Sequence, residues 1–312
     1  MLGVVLAAGH GSRLRPLTSR WPKPLLPLGA DTLLDRLARQ ARAAGAGRVV
    51  CNAHHRAEDV VEHCRLHPGR AGGPVEVRVE PELRGPAGTL HTFAEEIRDS
   101  GRAVVLSGDL RTGGGLPRFV AAHEASGALL SVALVHVPDG SRYGVFEFDE
   151  DGAVARVEEK PAWAAGRPSW VSAGIYCVEP EVLSFIPQDR PFDFAADLVP
   201  ALLAAGQPVN CVAWAGAWDD LGTPSAYRAA VLHEVRAAGG EPTEDGGVCL
   251  RDPSAVVEEG AALYGDVYLG AGVRVGAGAQ VRDCVLLPGA RLAPGGLAVE
   301  TVLAGPAGAG GS

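Results

Sequence analysis

Apolar and polar residues follow two alternating patterns along the first two-thirds of the chain. Short β-branched runs predict strands at Val4–Leu6, Val49–Asn52, Val75–Val79 and Val104–Leu106. Between them, apolar residues at helical spacing predict helices at Leu33–Ala44, Ala57–Arg65 and Thr89–Arg98. Strands that alternate with helices indicate an α/β fold, in which a mostly parallel sheet is covered by helices on both faces.

The pattern then changes to consecutive strands. Leu129–Val137, Gly144–Asp149 and Val154–Glu158 are predicted strands, and the segment Asp149 to Gly152 is a predicted hairpin turn. The sheet is therefore expected to be mixed, with an antiparallel insertion that could form part of a substrate pocket. A predicted helix, Ser225–Ala238, follows it.

A six-residue period begins after residue 247. One register contains Val257, Leu263, Leu269, Val275, Val281 and Leu287, and the second contains Ala255, Ala261, Val267, Val273, Ala279 and Val285. Such a hexapeptide repeat predicts a small left-handed parallel β-helix, whose coils often pack against another copy. The predicted organisation is a domain over 1–238, a linker over 239–247, the β-helix over 248–304 and a disordered tail over 305–312, with homo-oligomers formed through the β-helix.

Charge narrows the possible partners. The chain of 312 residues carries a formal net charge of −9 and no basic stripe, so nucleic acid is not an expected partner. Residues 1–30 nevertheless contain no acidic residue and four basic ones, Arg13, Arg15, Arg20 and Lys23. This local excess favours binding of a small polyanion.

Location is predicted from three features. No apolar run approaches a membrane span, and the first residues lack the charged segment and cleavage site of a signal peptide. The six cysteines are widely spaced without a C-x-x-C pair, which is typical of reduced thiols. The expected location is the cytoplasm, with no membrane association.

Lysine is rare in this sequence. Lys23 and Lys160 are the only lysines among 28 basic residues, and each precedes a proline. A lysine that persists in so arginine-rich a chain is expected to serve as a compact point charge, which suits a phosphate.

The first predicted strand runs into a glycine-rich turn. The segment Leu6-Ala7-Ala8-Gly9-His10-Gly11-Ser12-Arg13 allows the backbone to approach a phosphate chain. Arg13 at its end and Lys23 ten residues later can converge on the same phosphates. By contrast, the adjacent pair His54-His55 would point to opposite sides of an extended segment, so a helix-cap or surface role is preferred over a metal site.

Seven segments resemble, in order, those of the sugar-1-phosphate nucleotidyltransferases. The first two are the run from Gly9 to Thr18 and Pro22-Lys23-Pro24. The others are Gly85-Pro86-Ala87-Gly88, Leu106-Ser107-Gly108-Asp109, Glu159-Lys160-Pro161 with Tyr143-Gly144-Val145, Ser172-Ala173-Gly174-Ile175-Tyr176, and Trp218-Asp219-Asp220-Leu221-Gly222-Thr223-Pro224. The resemblance is to the type related to GDP-mannose pyrophosphorylases, and it implies a Rossmann-like fold followed by a hexapeptide β-helix.

The resemblance also implies a reaction and a set of residues. The enzyme would transfer a nucleoside monophosphate from an NTP to a sugar 1-phosphate, with Mg²⁺ as cofactor. The expected catalytic residues are Arg13 and Lys23, and the expected metal ligands are Asp109 and Asp220. The expected nucleotide-binding residues are Leu6, Ala7, Ala8, Gly9, Gly11, Ser12, Gly85, Ala87 and Gly88. The expected sugar-phosphate-binding residues are Gly144, Glu159, Lys160, Ser172 and Gly174.

Several departures keep alternatives open. Pro86 stands where the family has threonine, and the segment lacks the glutamine typical of thymidylyltransferases. A mannose-1-phosphate guanylyltransferase is preferred, and a uridylyltransferase or thymidylyltransferase acting on another sugar phosphate is the alternative. Ser107, Leu110 and Ser172 also differ from the family pattern, which leaves a non-catalytic regulatory subunit as a second alternative. An acyltransferase is not favoured, because residues 248–312 contain no histidine.

Overall fold

The computed structural model describes residues 1–305 of the chain. The α-helices are α1 (Leu33–Ala43), α2 (Ala57–Leu66), α3 (Ala94–Ser100), α4 (Leu116–Ser126), α5 (Val199–Ala204) and α6 (Pro224–Ala238). The strands up to α6 are β1 (Leu2–Leu6), β2 (Pro27–Leu28), β3 (Asp31–Thr32), β4 (Arg48–Ala53), β5 (Val75–Val79), β6 (Ala103–Ser107), β7 (Leu110–Gly113), β8 (Leu130–Val137), β9 (Gly144–Phe148), β10 (Val154–Glu159), β11 (Ser169–Val178), β12 (Val209–Ala213) and β13 (Ala217–Asp220). The later strands are β14 (Glu241–Pro242), β15 (Val248–Arg251), β16 (Val256–Val257), β17 (Ala262–Leu269), β18 (Arg274–Val275), β19 (Gln280–Leu286), β20 (Arg291–Leu292), β21 (Leu297–Val299) and β22 (Val302–Leu303).

Internal contacts divide the chain into two compact units. The sheet unit contains Met1–Gly9 and Leu34–Trp218, and the coil unit contains His10–Leu33 and the chain from Asp219 onward. This division differs from the predicted boundary at residue 238. The reason is packing: Leu14 and Leu17 of the early loop share one buried cluster with Tyr227 of α6 and Tyr268 of the C-terminal strands.

The sheet unit is built on four parallel strands in the order β6-β1-β4-β5. Leu2, Val4, Val50 and Val105 from these strands are fully buried in its core. Because β1 pairs with β6 on one side and β4 on the other, the chain reverses its direction of winding beside β1. In open α/β sheets, ligands bind at the carboxyl ends of the strands at such a switch point.

Antiparallel strands extend this sheet on one side. β11 pairs antiparallel with β6, β8 and β9, while β12 adds parallel to β8. The predicted hairpin is confirmed: β9 and β10 pair antiparallel, and the Gly152 N–H donates to the Asp149 carbonyl 3.1 Å away in the turn. The predicted mixed, mostly parallel sheet with helices is therefore present.

One predicted helix begins differently. Residues Gly88–Phe93 form a 3₁₀ segment, and only Ala94–Ser100 is α-helical, whereas a single helix was predicted over Thr89–Arg98. The Thr89 hydroxyl lies 3.1 Å from the Gly85 carbonyl, a local side-chain bond of the kind that competes with regular helix formation.

The C-terminal strands of the coil unit stack in parallel. β15, β17, β19 and β21 form one parallel stack, and β16, β18 and β20 form another. Paired residues lie 18 positions apart in the first of these strands, as Cys249 and Val267 do, and 17 apart later, as Val267 and Cys284 do. The longer spacing is three times the six-residue period of the sequence.

The change in spacing alters which residues of the six-residue period pack together. Val285 and Leu287 continue the two predicted registers, yet they lie in the cluster shared with α6. Cys284 and Leu286 pack instead with the other members of those registers, such as Val275 and Val281. One residue fewer between paired strands shifts the strand by one position, which exchanges the faces of its side chains.

Hydrogen bonds hold the early loop within the coil unit. The buried Tyr227 hydroxyl of α6 donates to the Pro27 carbonyl, and the Tyr268 hydroxyl donates to the Gly29 carbonyl 2.9 Å away. Helix α6 is capped by Thr223, whose side chain accepts from the Ala226 N–H. The segment predicted as a linker, 239–247, contains β14, which pairs with β15.

Two further predictions concern the chain ends and the membrane. Most of the predicted tail, 306–312, lies outside the described residues. Across residues 1–305, no helix combines the length and apolar character that crossing a bilayer requires.

Candidate functional site

The first group of candidate residues lies at the carboxyl edge of the parallel strands. Leu6 at the end of β1 is opposite Ser107 at the end of β6. The Gly108 N–H donates to the Leu6 carbonyl at 2.8 Å, and a Cβ at Gly108 would lie 2.5 Å from that oxygen. Only glycine permits this approach, which brings Asp109 next to the turn that begins at Ala7.

The segment Gly85–Gly88 is fixed by a partner that the sequence did not indicate. The N–H groups of Ala87 and Gly88 donate to the Phe192 carbonyl at 3.0 and 3.1 Å. Gly85 has a φ of +74°, and a Cβ there would lie 2.5 Å from the same carbonyl oxygen. These two amides are therefore occupied within the protein, so a nucleotide base would meet other atoms of this segment.

The predicted sugar-phosphate residues Gly144, Glu159 and Lys160 come together on the β9–β10 hairpin. Glu159 is opposite Gly144, and a Cβ at Gly144 would lie 3.1 Å from Glu159 Oε2. The Lys160 ammonium pairs with the Glu159 carboxylate and is 65% exposed. Lys160 has a φ of 50°, a left-handed conformation that costs about 1 kcal/mol and is often found at functional sites.

Ser172 and Gly174 form the next part of the sheet unit. The Ser172 hydroxyl lies 2.9 Å from the Tyr176 hydroxyl and accepts from the Gly174 N–H at 3.2 Å. Burial raises the pKa of Tyr176, and the negative charges of Glu159 and Asp109 raise it further. The phenol therefore stays neutral and can hold Ser172 by a hydrogen bond.

In the coil unit, Gly11 organises the early loop. It adopts a φ of 59°, and its carbonyl accepts from the Thr18 hydroxyl at 2.8 Å. A Cβ at Gly11 would lie 2.7 Å from Thr18 Cγ2 and 3.5 Å from Lys23 Cβ. The Gly11 turn and Lys23, which is almost fully buried, are therefore close together.

Arg13 and Asp220 also meet in the coil unit. Arg13 Nη1 lies 3.8 Å from Asp220 Oδ2, and the carboxylate is only 10% exposed. A Cβ at Gly222 would lie 2.9 Å from Asp220 Oδ1 and 3.0 Å from Arg13 Cζ. The glycine thus leaves room for a cationic fork and a carboxylate side by side, an arrangement that suits phosphate binding.

The structure groups the predicted residues by unit. Leu6 to Gly9, Gly85 to Gly88, Asp109 and the sugar-facing residues belong to the sheet unit, while Gly11, Ser12, Arg13, Lys23 and Asp220 belong to the coil unit. Among residues 1–305, no cluster of three or more His, Cys, Asp or Glu side chains could hold a metal. The His54 ring nitrogen Nδ1 lies 2.8 Å from the Glu80 carbonyl oxygen.

Two buried cysteines are poor candidates for a catalytic nucleophile. Burial raises the pKa of Cys211 to about 12, and it raises the pKa of Cys177 still further. Such thiols are not nucleophiles at neutral pH, which agrees with a reaction that needs no covalent intermediate.

Several supporting residues were not identified from the sequence. Gly222, Thr18 and Tyr176 lie inside the recognised segments, so close inspection of those segments could have indicated them. Phe192 and Glu80 contact the site from outside every recognised motif, and the sequence carries no local signal for them.

Comparison with known proteins assigns the class of protein. The profile of the nucleotidyl transferase family matches residues 2–236. The chain belongs to this family and is an enzyme.

Individual relatives refine the class. A mannose-1-phosphate guanylyltransferase of Mycobacterium tuberculosis is 31% identical over 300 residues, which cover 94% of this chain and 81% of the relative. A UTP–glucose-1-phosphate uridylyltransferase of Synechocystis is 27% identical, covering 98% and 87% of the two chains. Among solved structures, a Bacillus anthracis protein assigned as a glucose-1-phosphate thymidylyltransferase and crystallised with sucrose is 26% identical, with a TM-score of 0.66 over 74% of this chain and 94% of that one. The resemblance to sugar-1-phosphate nucleotidyltransferases is thereby confirmed.

Proposed function

We propose that this protein catalyses the Mg²⁺-dependent transfer of a nucleoside monophosphate from an NTP to a sugar 1-phosphate. An oxygen of the sugar phosphate attacks the α-phosphorus, the bond to the β-phosphate oxygen breaks, and pyrophosphate leaves. Both reactants are anions, so the protein must neutralise charge and align them. The observation that carries the proposal is the Arg13–Asp220 pair beside Gly222, within a chain that belongs to the nucleotidyl transferase family.

The proposed roles follow the chemistry of each side chain. Arg13 binds the β- and γ-phosphates and the charge that develops on pyrophosphate, since a guanidinium donates two parallel hydrogen bonds. Lys23 contacts the α-phosphate. Lys160 binds the phosphate of the sugar 1-phosphate, and Glu159 accepts hydrogen bonds from sugar hydroxyls. Pairing of Lys160 with Glu159 supports this, because it keeps both groups on one exposed edge of the hairpin.

Two carboxylates are proposed to bind Mg²⁺, namely Asp109 and Asp220. Mg²⁺ prefers oxygen ligands and commonly takes one or two carboxylates, with phosphate oxygens and water completing its shell. The residues present fit this requirement, because both side chains supply carboxylate oxygens, and that of Asp220 is only 10% exposed. When bound, the ion would neutralise phosphate charge during transfer.

The preferred substrates are GTP and mannose 1-phosphate. The support is the 31% identity to the mannose-1-phosphate guanylyltransferase. The uridylyltransferase and thymidylyltransferase relatives support UTP or dTTP with another sugar 1-phosphate as the alternative. A regulatory subunit that only binds nucleotide sugars is the alternative of another class, and the retention of Arg13, Lys23, Asp109 and Asp220 argues against it.

We further propose that the C-terminal strands form a left-handed β-helix, that homo-oligomers assemble through it, and that the enzyme acts in the cytoplasm. The parallel stacks with partners 17 or 18 residues apart support the first proposal. Exposed Leu297 and Val299 on β21 support the second, and six free thiols support the third.

One screen tests the function. The purified protein is incubated with each of four NTPs and a panel of sugar 1-phosphates, with and without Mg²⁺, and pyrophosphate release is measured. GTP with mannose 1-phosphate should give the highest kcat/KM, and chelation should abolish it. Turnover with another pair would select the alternative substrates, and nucleotide-sugar binding without turnover would select the regulatory subunit.

A further inference from the structure

A buried carboxylate lies outside the residues assigned so far. Glu80 directly follows β5 and is only 2% exposed. Its Oε1 accepts from the Thr92 hydroxyl at 2.8 Å, and its Oε2 accepts from Asn52 Nδ2 at 3.0 Å. The Thr89 hydroxyl lies 3.4 Å from Oε2. These donors are all neutral, so Glu80 occupies a polar network and not an ion pair with them.

The network fixes the orientation of the Asn52 amide. An ionised carboxylate can only accept hydrogen bonds, so the NH₂ group of Asn52 must face Glu80. The other end of the amide, Oδ1, then faces the Ala7 N–H, which donates to it at 2.7 Å in a buried contact. Reversal of the amide would place donor against donor at Ala7 and leave a buried N–H without its partner, which is costly.

The same network reaches the second nucleotide segment. Thr89 Oγ1 lies 3.2 Å from Asn52 Nδ2 and 3.1 Å from the Gly85 carbonyl. It therefore connects the turn at Ala7 with the segment that begins at Gly85, the two parts of the sheet unit proposed to contact the nucleotide. The proposed sugar-phosphate residues lie on the separate β9–β10 hairpin.

We infer that Asn52 and Glu80 are positioning residues for the NTP: Glu80 orients the Asn52 amide, and Asn52 holds the backbone at Ala7 in its binding conformation. This inference rests on the proposed function. It predicts that damage to the network weakens NTP binding selectively and leaves sugar 1-phosphate binding largely unchanged.

The main experiment uses the full chain with Asn52→Ala. The KM for the NTP should rise about tenfold, the size expected when a binding group is misplaced by a fraction of an ångström. The KM for the sugar 1-phosphate should stay within about twofold, because the hairpin residues are unchanged. Hydrogen exchange of the peptide that contains Ala7 should become faster, since its amide loses its acceptor.

Three further variants separate positioning from general stability. Glu80→Gln should retain nearly normal NTP binding, because glutamine can turn Oε1 to Asn52 and donate its NH₂ to the Thr92 oxygen. Glu80→Ala offers no acceptor to Asn52, so it should raise the NTP KM. Asp35→Asn is the matched control. Asp35 is also 2% exposed in the sheet unit and is hydrogen-bonded to His63 Nε2 at 3.0 Å, so its loss should lower the melting temperature without shifting the NTP KM.

Three results would overturn the inference: an unchanged NTP KM in Asn52→Ala, equal rises for both substrates, or an equal shift in Asp35→Asn. If Asn52→Ala does not fold, Thr89→Val is measured in the same way and must show the same selectivity. Failure of the proposed function would look different. The unmodified protein would release no pyrophosphate with any substrate pair, while exchange at Ala7 in the variants would still report on the network.

Discussion

The sheet unit and the coil unit hold their candidate residues by different means. In the sheet unit, Asp109 lies just after β6 and Glu159 is the last residue of β10, so backbone pairing of these strands determines their positions. In the coil unit, Arg13 and Lys23 lie on an irregular loop, and the packing of Leu14, Leu17 and Tyr227 into one cluster holds that loop. A loop can approach a phosphate chain closely, but its geometry then depends on what it packs against.

The two units also contribute different parts of the proposed site. The residue proposed to bind the β- and γ-phosphates, Arg13, is in the coil unit, and those proposed to bind the sugar 1-phosphate are in the sheet unit, which also holds part of the proposed nucleotide site. Variants of Arg13 and of Lys160 should therefore change different kinetic parameters, and this difference can be measured.

The largest effect is expected from the carboxylates. Asp109→Asn in the sheet unit and Asp220→Asn in the coil unit should each abolish metal-dependent pyrophosphate release, because a neutral amide is a poor ligand for Mg²⁺. Circular dichroism should show an intact fold. Turnover like that of the unmodified protein in both variants would remove the metal assignment.

Arg13→Ala should have the next largest effect. We expect kcat to fall by about 10² to 10³, the usual loss when a contact to transition-state charge is removed. The KM for the sugar 1-phosphate should change little, since the residues proposed to bind it are in the sheet unit. Arg15→Ala, a change of a neighbouring exposed arginine, is the control, and an equal loss in both variants would contradict a specific role for Arg13.

Lys160→Ala tests the sheet unit in the same way. The KM for the sugar 1-phosphate should rise about tenfold, corresponding to one charge-assisted hydrogen bond, and the KM for the NTP should not. Initial rates measured while one substrate is varied and the other is saturating give the two KM values. An unchanged sugar-phosphate KM would show that Lys160 is not the phosphate ligand.

Tyr227→Phe tests how the coil unit holds its loop. Loss of the hydrogen bond to the Pro27 carbonyl should cost about 1 kcal/mol of unfolding free energy and lower the melting temperature by about 2–4 °C. Tyr264→Phe, on the half-buried face of β17, serves as the control. Equal melting temperatures for Tyr227→Phe and the unmodified protein would show that this bond does not stabilise the loop.

The smallest effect concerns pH and the sheet unit alone. Burial lowers the pKa of His123. The Glu179 carboxylate raises it in part, and two smaller effects follow, a lowering by Arg102 and a raising by Glu124. A neutral His123 therefore stabilises the fold fully above about pH 6.5, its unfolded pKa, and this contribution is lost as the pH falls further through its folded pKa. His123→Gln should flatten the dependence of melting temperature on pH between 7.5 and 5.5 by about 2 °C. A dependence as steep as that of the unmodified protein would exclude His123 as its source.

Sequence patterns predicted most regular elements, since strands and helices repeat their apolar positions at fixed periods. Val75–Val79 is a strand with the predicted bounds, and the β9–β10 hairpin has its predicted turn. The six-residue period did not predict that Val285 and Leu287 pack with α6, because the spacing of paired residues falls from 18 to 17 while the period continues, and this exchanges the faces of the side chains.

By itself, the sequence determined the family, the alternating elements and the candidate residues, because glycine turns and strand-end carboxylates carry local signals. Only the tertiary structure decided that residues 10–33 pack with α6 and the C-terminal strands, and that Arg13 lies beside Asp220. It also decided that Phe192 occupies the amides of Ala87 and Gly88, and that Glu80 orients Asn52. These contacts join residues far apart in the sequence, by 28 positions for Asn52–Glu80 and by 207 for Arg13–Asp220, and no local pattern encodes a partner at such a distance.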